Sequence, residues 1–422
     1  MTESSTDLQT GASDHASAVF AGFLGWTLDA FDFFIVTFCV SAIAQTYHVD
    51  RSRILLTISL TMAMRPVGAF IFGLLADRYG RRRPMMINLV FYSTMSVLSG
   101  FSPNYTTFLI CRILFGIGMG GEWGVGASLA MEKVPPKLRG LLSGLLQEGY
   151  ATGSLLASGA YFLIYPHFGT WQPLFWLGGL PALLAVFIRY RVKESAVWQK
   201  TKQENWSRLG QTLITHWPLF FTIFGVMLMM NLTSHGTQDI FPTFLKDNWH
   251  FTPQRVAAVS AVASVGAIIG GVVVGLLSDK IGRKRAIVLS LLLAVIMIPI
   301  WAHAPNVIVL LIGAFLIQFM VQGAWGVIPA HISELSPDSV RGFLPGFAYQ
   351  CGAALAGWIS LFEDMLKSHM SLNNAMAITA AVVFPLTALV VGLGTERTGV
   401  VFGIGVAEPR GFDVVISPTR PK

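Results

Sequence analysis

A short polar segment in the middle of the chain concentrates groups suited to binding a small solute and handling a proton. It reads Asn231-Leu-Thr-Ser234-His235-Gly-Thr-Gln238-Asp239. On an α-helix the five numbered residues follow the spacing i, i+3, i+4, i+7, i+8 and share one face. The imidazole titrates near neutral pH, the amides can orient a carboxylate or a hydroxyl, and Asp239 can hold the imidazole tautomer or accept a proton. A lone histidine is usually a packing contact, but five aligned polar groups favour a solute-binding face.

Two acidic residues lie one helical turn apart in Gly25-Trp-Thr-Leu-Asp29-Ala-Phe-Asp32-Phe-Phe. The i, i+3 spacing places both carboxyl groups on nearly the same helix face. Burial and a neighbouring like charge both favour the protonated form, so such a pair can hold a proton. The alternative is that Asp29 and Asp32 are structural acceptors for nearby backbone or for an arginine.

Arg65 is a cation within an apolar stretch, Thr61-Met-Ala-Met-Arg65-Pro66. A guanidinium does not lose its proton at any useful pH and presents a planar fork, so a buried arginine needs an anion. That anion is either Asp29 or Asp32, or a carboxylate brought by a substrate. A carrier can use both in alternation, which would leave the aspartate free to take a proton when substrate is bound.

Three further ionisable residues, Arg112, Glu122 and Glu148, also fall in apolar stretches. Arg112 and Glu122 are ten residues apart, about 15 Å on a helix, which argues against direct contact. The glycines between them favour close packing of a neighbouring helix. All three residues are candidates for proton coupling, and for Glu148 a structural role is equally open.

The composition requires these residues to lie in a lipid environment. The 422 residues are 53% hydrophobic and 12% charged, with a mean hydropathy of +0.61, whereas soluble domains are about 25% charged. The twelve spans predicted from apolar stretches of helix length lie near residues 19–45, 54–76, 85–102, 105–131, 140–165, 171–190, 216–245, 254–277, 285–303, 306–332, 342–363 and 371–394. The excess of 29 Lys and Arg over 22 Asp and Glu then marks cytoplasmic loops, and we expect no nucleic-acid partner.

The distribution of basic residues orients the chain. With the N-terminus placed inside, most loop lysines and arginines fall on the inner side, so we expect a multi-pass protein of the plasma membrane with both termini cytoplasmic. The expected divisions are an N-terminal tail (1–18), a six-helix bundle (19–190), a central cytoplasmic loop (191–215), a second six-helix bundle (216–395) and a C-terminal tail (396–422).

An internal repeat supports the two bundles. Gly73-Leu-Leu-Ala-Asp77-Arg78-Tyr-Gly80-Arg81-Arg82-Arg83 recurs 202 residues later as Gly275-Leu-Leu-Ser-Asp279-Lys280-Ile-Gly282-Arg283-Lys284-Arg285. The same offset places Asn231 on Asp29 and Ser234 on Asp32. Two halves in the same orientation form a parallel repeat, an arrangement in which transporters bind substrate near the midplane between the halves.

The repeated motif resembles the signature of the major facilitator superfamily. The resemblance implies an all-α membrane protein with twelve transmembrane helices in two pseudo-symmetric six-helix bundles. Asp77, Arg81, Asp279 and Arg283 are then candidates for a conformational gate, the alternative being a basic cluster that only fixes orientation. Arg112 resembles the arginine of the superfamily's R-x-x-x-G-x-G pattern, which is linked to proton coupling.

The segment from Asn231 through Thr243 also resembles the motif N-x-x-[ST]-H-x-[ST]-Q-D-x-x-x-T of the fungal lactate and pyruvate permeases. These belong to the sialate:proton symporter group, whose members are also similar to this chain at Asp29-Ala-Phe-Asp32 and at Arg65. The resemblance implies a substrate-binding role for Asn231, His235, Gln238 and Asp239.

Motifs for other chemistries are absent from the sequence. It has no G-x-x-x-x-G-K-[ST] loop, no C-x-x-C pair and no H-E-x-x-H helix, so we expect no catalytic residue, no cofactor and no metal site. We expect a proton-coupled symporter for a small monocarboxylate such as lactate or pyruvate, functional as a monomer in lipid. The alternatives are a sialate, dicarboxylate or aromatic-acid symporter, or a non-transporting membrane sensor.

Overall fold

The computed structural model describes residues 5–195, 198–199, 214–366 and 369–402, and within these residues the only regular secondary structure is helical. An apolar chain in lipid must satisfy its backbone hydrogen bonds internally, and a helix does this within one segment. Nine helices in the described part of the chain are long and apolar enough to cross a membrane. The predicted all-α membrane architecture is confirmed.

The described helices form two sets along the chain, one before and one after residues 200–213. The first set is α1 (Ser5–Thr46), α2 (Arg51–Ala63), α3 (Arg65–Tyr79), α4 (Arg82–Gly100), α5 (Tyr105–Lys133), α6 (Arg139–Gln147), α7 (Gly149–Phe168), α8 (Gln172–Trp176) and α9 (Leu180–Arg191). The second set is α10 (Trp217–Gln238), α11 (Phe241–Asp247), α12 (Pro253–Ile281), α13 (Arg283–Ala302), α14 (Val307–Leu335), α15 (Leu344–Ala356), α16 (Ile359–Leu366) and α17 (Leu372–Leu393).

The first helix begins at Ser5, well before the predicted start of the first span at residue 19. A helix can continue beyond the apolar region because its backbone bonds remain internal. Of the two other segments expected outside the bundles, residues 200–213 of the central loop and 403–422 of the C-terminal tail lie outside the described residues.

Several predicted spans are interrupted, and the interruptions lie beside candidate site residues. The second span divides at Met64, directly before Arg65, and the fifth divides at Glu148. The seventh, predicted as one helix over 216–245, divides after Gln238. Proline occupies the first turn of α3 and of α11, where its missing N–H removes a bond to the preceding turn.

The two halves meet most closely at one end of the molecule, which carries both repeated motifs (residues 73–83 and 275–285) and which we call the basic end. There α6 packs on α12 and α14, and α3 packs on α15. Gly144 of α6 lies against the backbone of Gly271 of α12, and a Cβ atom at Gly144 would lie 2.2 Å from the Gly271 carbonyl oxygen. The absence of a side chain at Gly144 is therefore required for this contact.

A methyl group at Gly144 should prevent the basic end from closing. We expect Gly144→Ala to increase the distance between spin labels placed on α6 and α12, and to slow transport. The matched control is Gly159→Ala in α7, where an added Cβ meets nothing within 4 Å. Equal label distances in Gly144→Ala and Gly159→Ala would contradict this account of the interface.

Candidate functional site

Arg65 is the first residue of α3 and is 2% exposed. Its Nη1 donates to Met62 Sδ at 3.3 Å, while Nε and Nη2 have no hydrogen-bond partner among the described residues. Asp29 interacts with it electrostatically, but no described carboxylate lies within ion-pair distance. Of the anions considered for Arg65, neither Asp29 nor Asp32 occupies its fork in this conformation.

Aromatic rings from both halves surround the guanidinium group. Arg65 Cζ lies 5.9 Å from the ring centroid of Trp26 and 5.8 Å from that of Tyr349. The centroid of the Tyr349 ring lies 4.6 Å from that of Trp123 and 5.7 Å from that of Trp325. Trp26 stacks on Tyr150 with 5.5 Å between the ring centroids. We call these five aromatic side chains the aromatic box. Trp123 and Trp325 are equivalent in the repeat, but the box itself joins five separate helices and could not be read from local spacing.

The predicted polar face of α10 is divided between helix packing and a more exposed side. Asn231 is 2% exposed and donates from Nδ2 to the Met227 carbonyl at 2.7 Å. His235 Nδ1 lies 3.0 Å from Asp239 Oδ2, and the side chains of this pair are 17% and 39% exposed. Arg65 reaches His235 electrostatically, so the pair and the guanidinium belong to one central region.

An amide network joins α10 to α14. Gln238 Nε2 donates to Gln318 Oε1 at 2.8 Å, and Gln322 Nε2 donates to Ser234 Oγ at 3.2 Å. Gln318 and Gln322 were missed by the sequence analysis. Their signal was present, because two glutamines four residues apart interrupt an otherwise strongly apolar helix.

Three of the buried acids in the first half, Asp29, Asp32 and Glu122, interact with one another. Neither carboxyl oxygen of Asp29 has a hydrogen-bond partner among the described residues. Asp32 Oδ1 accepts from Ser96 at 2.9 Å, and Glu122 Oε2 accepts from Asn88 at 3.3 Å. The three acids interact electrostatically through Asp29, so α1 and α5 together form a carboxyl cluster behind Arg65.

Arg112 and Glu148 occupy separate positions. Arg112 Nε donates to Ser99 Oγ at 3.1 Å, its Cζ lies 4.0 Å from the Phe115 ring, and its charge acts on Asp32. It makes no ion pair with Glu122, as their separation predicted. Glu148 is 2% exposed, and its Oε1 lies so near Gly271 that a Cβ there would be 2.1 Å away.

At the basic end, each repeated aspartate accepts hydrogen bonds from the other half. Asp77 accepts from the backbone N–H groups of Gly342 and Phe343 at 2.8 and 3.0 Å, just before α15. Asp279 accepts from those of Gly140 and Leu141 at 2.9 and 3.1 Å, in the first turn of α6. A carboxylate is favoured at a helix N-terminus because the free N–H groups and the helix dipole both attract it.

Two buried arginines hold these aspartates in place. Arg81 contacts Asp77 at 2.5 Å and Glu132 at 3.0 Å. Arg283 contacts Asp279 at 2.7 Å and Glu334 at 3.1 Å. Glu334 also accepts from Arg139 of the first half at 2.8 Å, so this network, like the two aspartates, joins one half to the other.

Two acids outside the spans complete the repeat at the basic end. Glu194 accepts from the backbone N–H of Arg81 at 2.9 Å, and Glu396, 202 residues later, accepts from that of Arg283 at 3.1 Å. Partial burial raises the pKa of Glu396, but hydrogen bonds from Thr398 and from two backbone N–H groups outweigh it and lower that pKa below its ordinary value. Glu396 therefore stays charged where it joins the tail to the motif.

Comparison with known proteins places the chain in a family. A family model described as "Sugar (and other) transporter" matches residues 18–213 and 229–395. The chain belongs to this family of transporters. It is accordingly a multi-pass membrane transporter, and the expectation that it is not an enzyme is confirmed.

Three curated relatives cover most of the chain. The probable 4-methylmuconolactone transporter of Cupriavidus pinatubonensis is 29% identical over 95% of this chain and 95% of its own length. The carboxylic acid transporter protein homolog of Saccharomyces cerevisiae is 28% identical over 90% of this chain and 68% of its own length. The sialic acid transporter NanX of Escherichia coli is 27% identical over 93% of this chain and 96% of its own length.

A solved structure agrees with the fold. The proton:xylose symporter XylE, of the major facilitator superfamily, matches with a TM-score of 0.74 at 19% identity, covering 93% of this chain and 98% of its own. The predicted major facilitator fold is confirmed. Membership of the lactate and pyruvate permease group remains a prediction, because none of these three relatives is named for lactate or pyruvate.

Removing the charge of a motif aspartate should open the basic end. We expect Asp279→Asn to lose charge-assisted bonds worth about 1.5 to 3 kcal/mol each and to increase the accessibility of a cysteine placed on α6. Lys280→Gln is the control, since Lys280 is an exposed cation of the same motif. If the motif only fixed orientation, Lys280→Gln would disturb insertion and Asp279→Asn would leave α6 protected.

Proposed function

We propose that the protein transports a small organic acid anion together with a proton, by alternating access between its two halves. The observation that carries this proposal is Arg65, a buried cation between the halves with two unpartnered fork nitrogens. A charged group at membrane depth costs at least about 2.5 to 3.5 kcal/mol on insertion scales, so an unpaired one is a functional site by default. A carboxylate is the anion that matches a planar guanidinium fork.

The substrate-binding set is Arg65 from the first half with Asn231, His235 and Gln238 from the second. Arg65 supplies the countercharge, and the α10 groups orient the remainder of the solute. The support is that the charge of Arg65, in the first half, acts on His235, in the second. A solute held from both sides couples its own binding to the relative position of the halves.

The proton-coupling groups that we propose are five acids and one arginine. The candidates are Asp29, Asp32, Asp239, Arg112, Glu122 and Glu148. Asp29 has the strongest support, because it lies beside Arg65, is fully buried and has no hydrogen-bond partner among the described residues. When a carboxylate substrate takes the guanidinium, Asp29 loses its nearest cation and binds a proton more readily.

The substrate we propose first is lactate or pyruvate, on the strength of the α10 motif. An aromatic or unsaturated ring acid is the second candidate, and the aromatic box favours it, because flat rings stack on tryptophan and tyrosine. The relative named for 4-methylmuconolactone transport agrees with this second candidate. Sialate and dicarboxylate remain alternatives within the same class of organic anions.

We also propose that the basic end faces the cytoplasm, as the positive-inside rule requires. In this conformation the basic end is closed, so the site would be approached from the outer side of the plasma membrane. Both termini would be cytoplasmic, and one monomer surrounded by lipid would contain the whole pathway.

The guanidinium fork is tested by a substitution that keeps the charge. We expect Arg65→Lys to reduce uptake by roughly tenfold or more, since a point charge does not reproduce two parallel hydrogen bonds. Arg255→Lys is the control, because Arg255 is an exposed arginine at the start of α12. Full uptake by Arg65→Lys would show that this arginine does not hold the substrate.

Substrate class and coupling are tested together in proteoliposomes. We expect labelled lactate, pyruvate or benzoate to accumulate when the outside is made acidic, and a protonophore to abolish the accumulation. Competition by unlabelled sialate, succinate and benzoate ranks the candidates. Uptake that is unchanged by both the pH gradient and the protonophore would contradict the proposed symport.

A further inference from the structure

Glu363 is a buried acid that the site described above does not use. It lies in α16, just beyond the interruption between α15 and α16, and is 0% exposed. Neither of its carboxyl oxygens has a hydrogen-bond partner among the residues that the structure describes. A buried polar group without a partner is rare in native proteins and calls for an explanation.

The surroundings of Glu363 come from α10 and α17, the helices that pack on α16. On the α10 side Gly236 has no side chain, and a Cβ there would lie 3.7 Å from Glu363 Oε1. The Thr379 hydroxyl of α17 is the hydrogen-bonding group that interacts with this carboxyl, although the two do not meet the geometry of a full hydrogen bond. Among the described residues, the charged group that acts on Glu363 is Asp239, and through it the paired His235; α17 contains no titratable residue.

This environment disfavours a charge on Glu363. Within the part of the chain that the structure describes, no cation acts on it and its charged neighbour Asp239 is another acid, so an ionised carboxyl would bear its full desolvation cost. The neutral acid avoids that cost and needs only a proton. The Asp239 side chain is 39% exposed, so it can exchange protons with water and link the solvent to the buried carboxyl of Glu363.

We propose that Glu363 is a second proton-binding site, in the half of the molecule opposite to Asp29 and Asp32, and that Asp239 and His235 deliver its proton. In the step, a proton from the outer solution binds Asp239 or His235, that O–H or N–H bond breaks, and an O–H bond forms on Glu363. The proton leaves when the rearrangement of α10 and α16 brings the carboxyl to water. This inference rests on the proposed symport, and assigns part of its proton to the second half.

The test separates coupling from transport in proteoliposomes. We expect Glu363→Gln, which fixes the neutral form, to exchange labelled substrate against unlabelled substrate at the wild-type rate, yet to lose accumulation driven by a pH gradient. Asp50→Asn is the control, because Asp50 is exposed and its side chain makes no cap hydrogen bond. Gradient-driven accumulation by Glu363→Gln equal to that of the wild type would overturn the inference.

A second variant covers the case in which Glu363→Gln does not assemble. Glu363→Asp keeps a titratable carboxyl but withdraws it from Thr379, so the pH profile of accumulation should shift while exchange persists. An unshifted profile would overturn the inference. Whether the protein is a symporter at all is tested separately with the wild type. If wild-type uptake does not depend on the pH gradient, the proposed symport is wrong, whatever the result for the variants.

Discussion

Charge in a lipid-spanning bundle is costly wherever it lacks a partner, and the placement of the few charges in this chain organises the rest of the structure. Towards its middle, the first half contains Arg65 and Arg112 with the buried acids Asp29, Asp32 and Glu122. The repeat places Ala267 and Ala314 at the positions equivalent to the two arginines. The second half has amides, a histidine and two acids, Asp239 and Glu363, but no arginine at the equivalent positions. One scaffold, used twice, therefore supports an electrostatic site on one side and a hydrogen-bonding site on the other.

At the basic end, by contrast, the two halves use nearly equivalent residues and contacts. Each motif aspartate accepts from backbone N–H groups of the partner half, and each motif arginine joins that aspartate to a buried glutamate. A latch that must open and close between two similar bodies can be built symmetrically. A substrate whose two ends differ chemically needs different side chains from each half. The two halves accordingly differ in their charged and polar residues towards the middle of the molecule.

The fold and much of the candidate site could be predicted from sequence because their signals are local. The repeat located Asp77 and Asp279, and helical spacing placed His235 beside Asp239. The aromatic box could not be predicted, since Trp26, Tyr150 and Tyr349 come from separate helices and nothing in their local spacing joins them. Glu363 was missed for a related reason: with Asp364 beside it at the end of a predicted span, it resembles an ordinary polar boundary residue until its burial is seen.

The closed basic end and the open fork of Arg65 are linked by free energy. A bound anion can shift the equilibrium between conformations only by the difference in its affinity for them. The interhalf bonds of Asp77, Asp279 and Glu334 set the cost of opening the basic end, so the anion must gain at least comparable binding when the halves move. Neutralising Arg65 removes one buried charge, and protonating Asp29 or Glu363 removes another. In the proposed symport, a carrier loaded with both has the fewest uncompensated charges at the midplane, and it would therefore be the form best able to pass through the intermediate state in which both ends are closed.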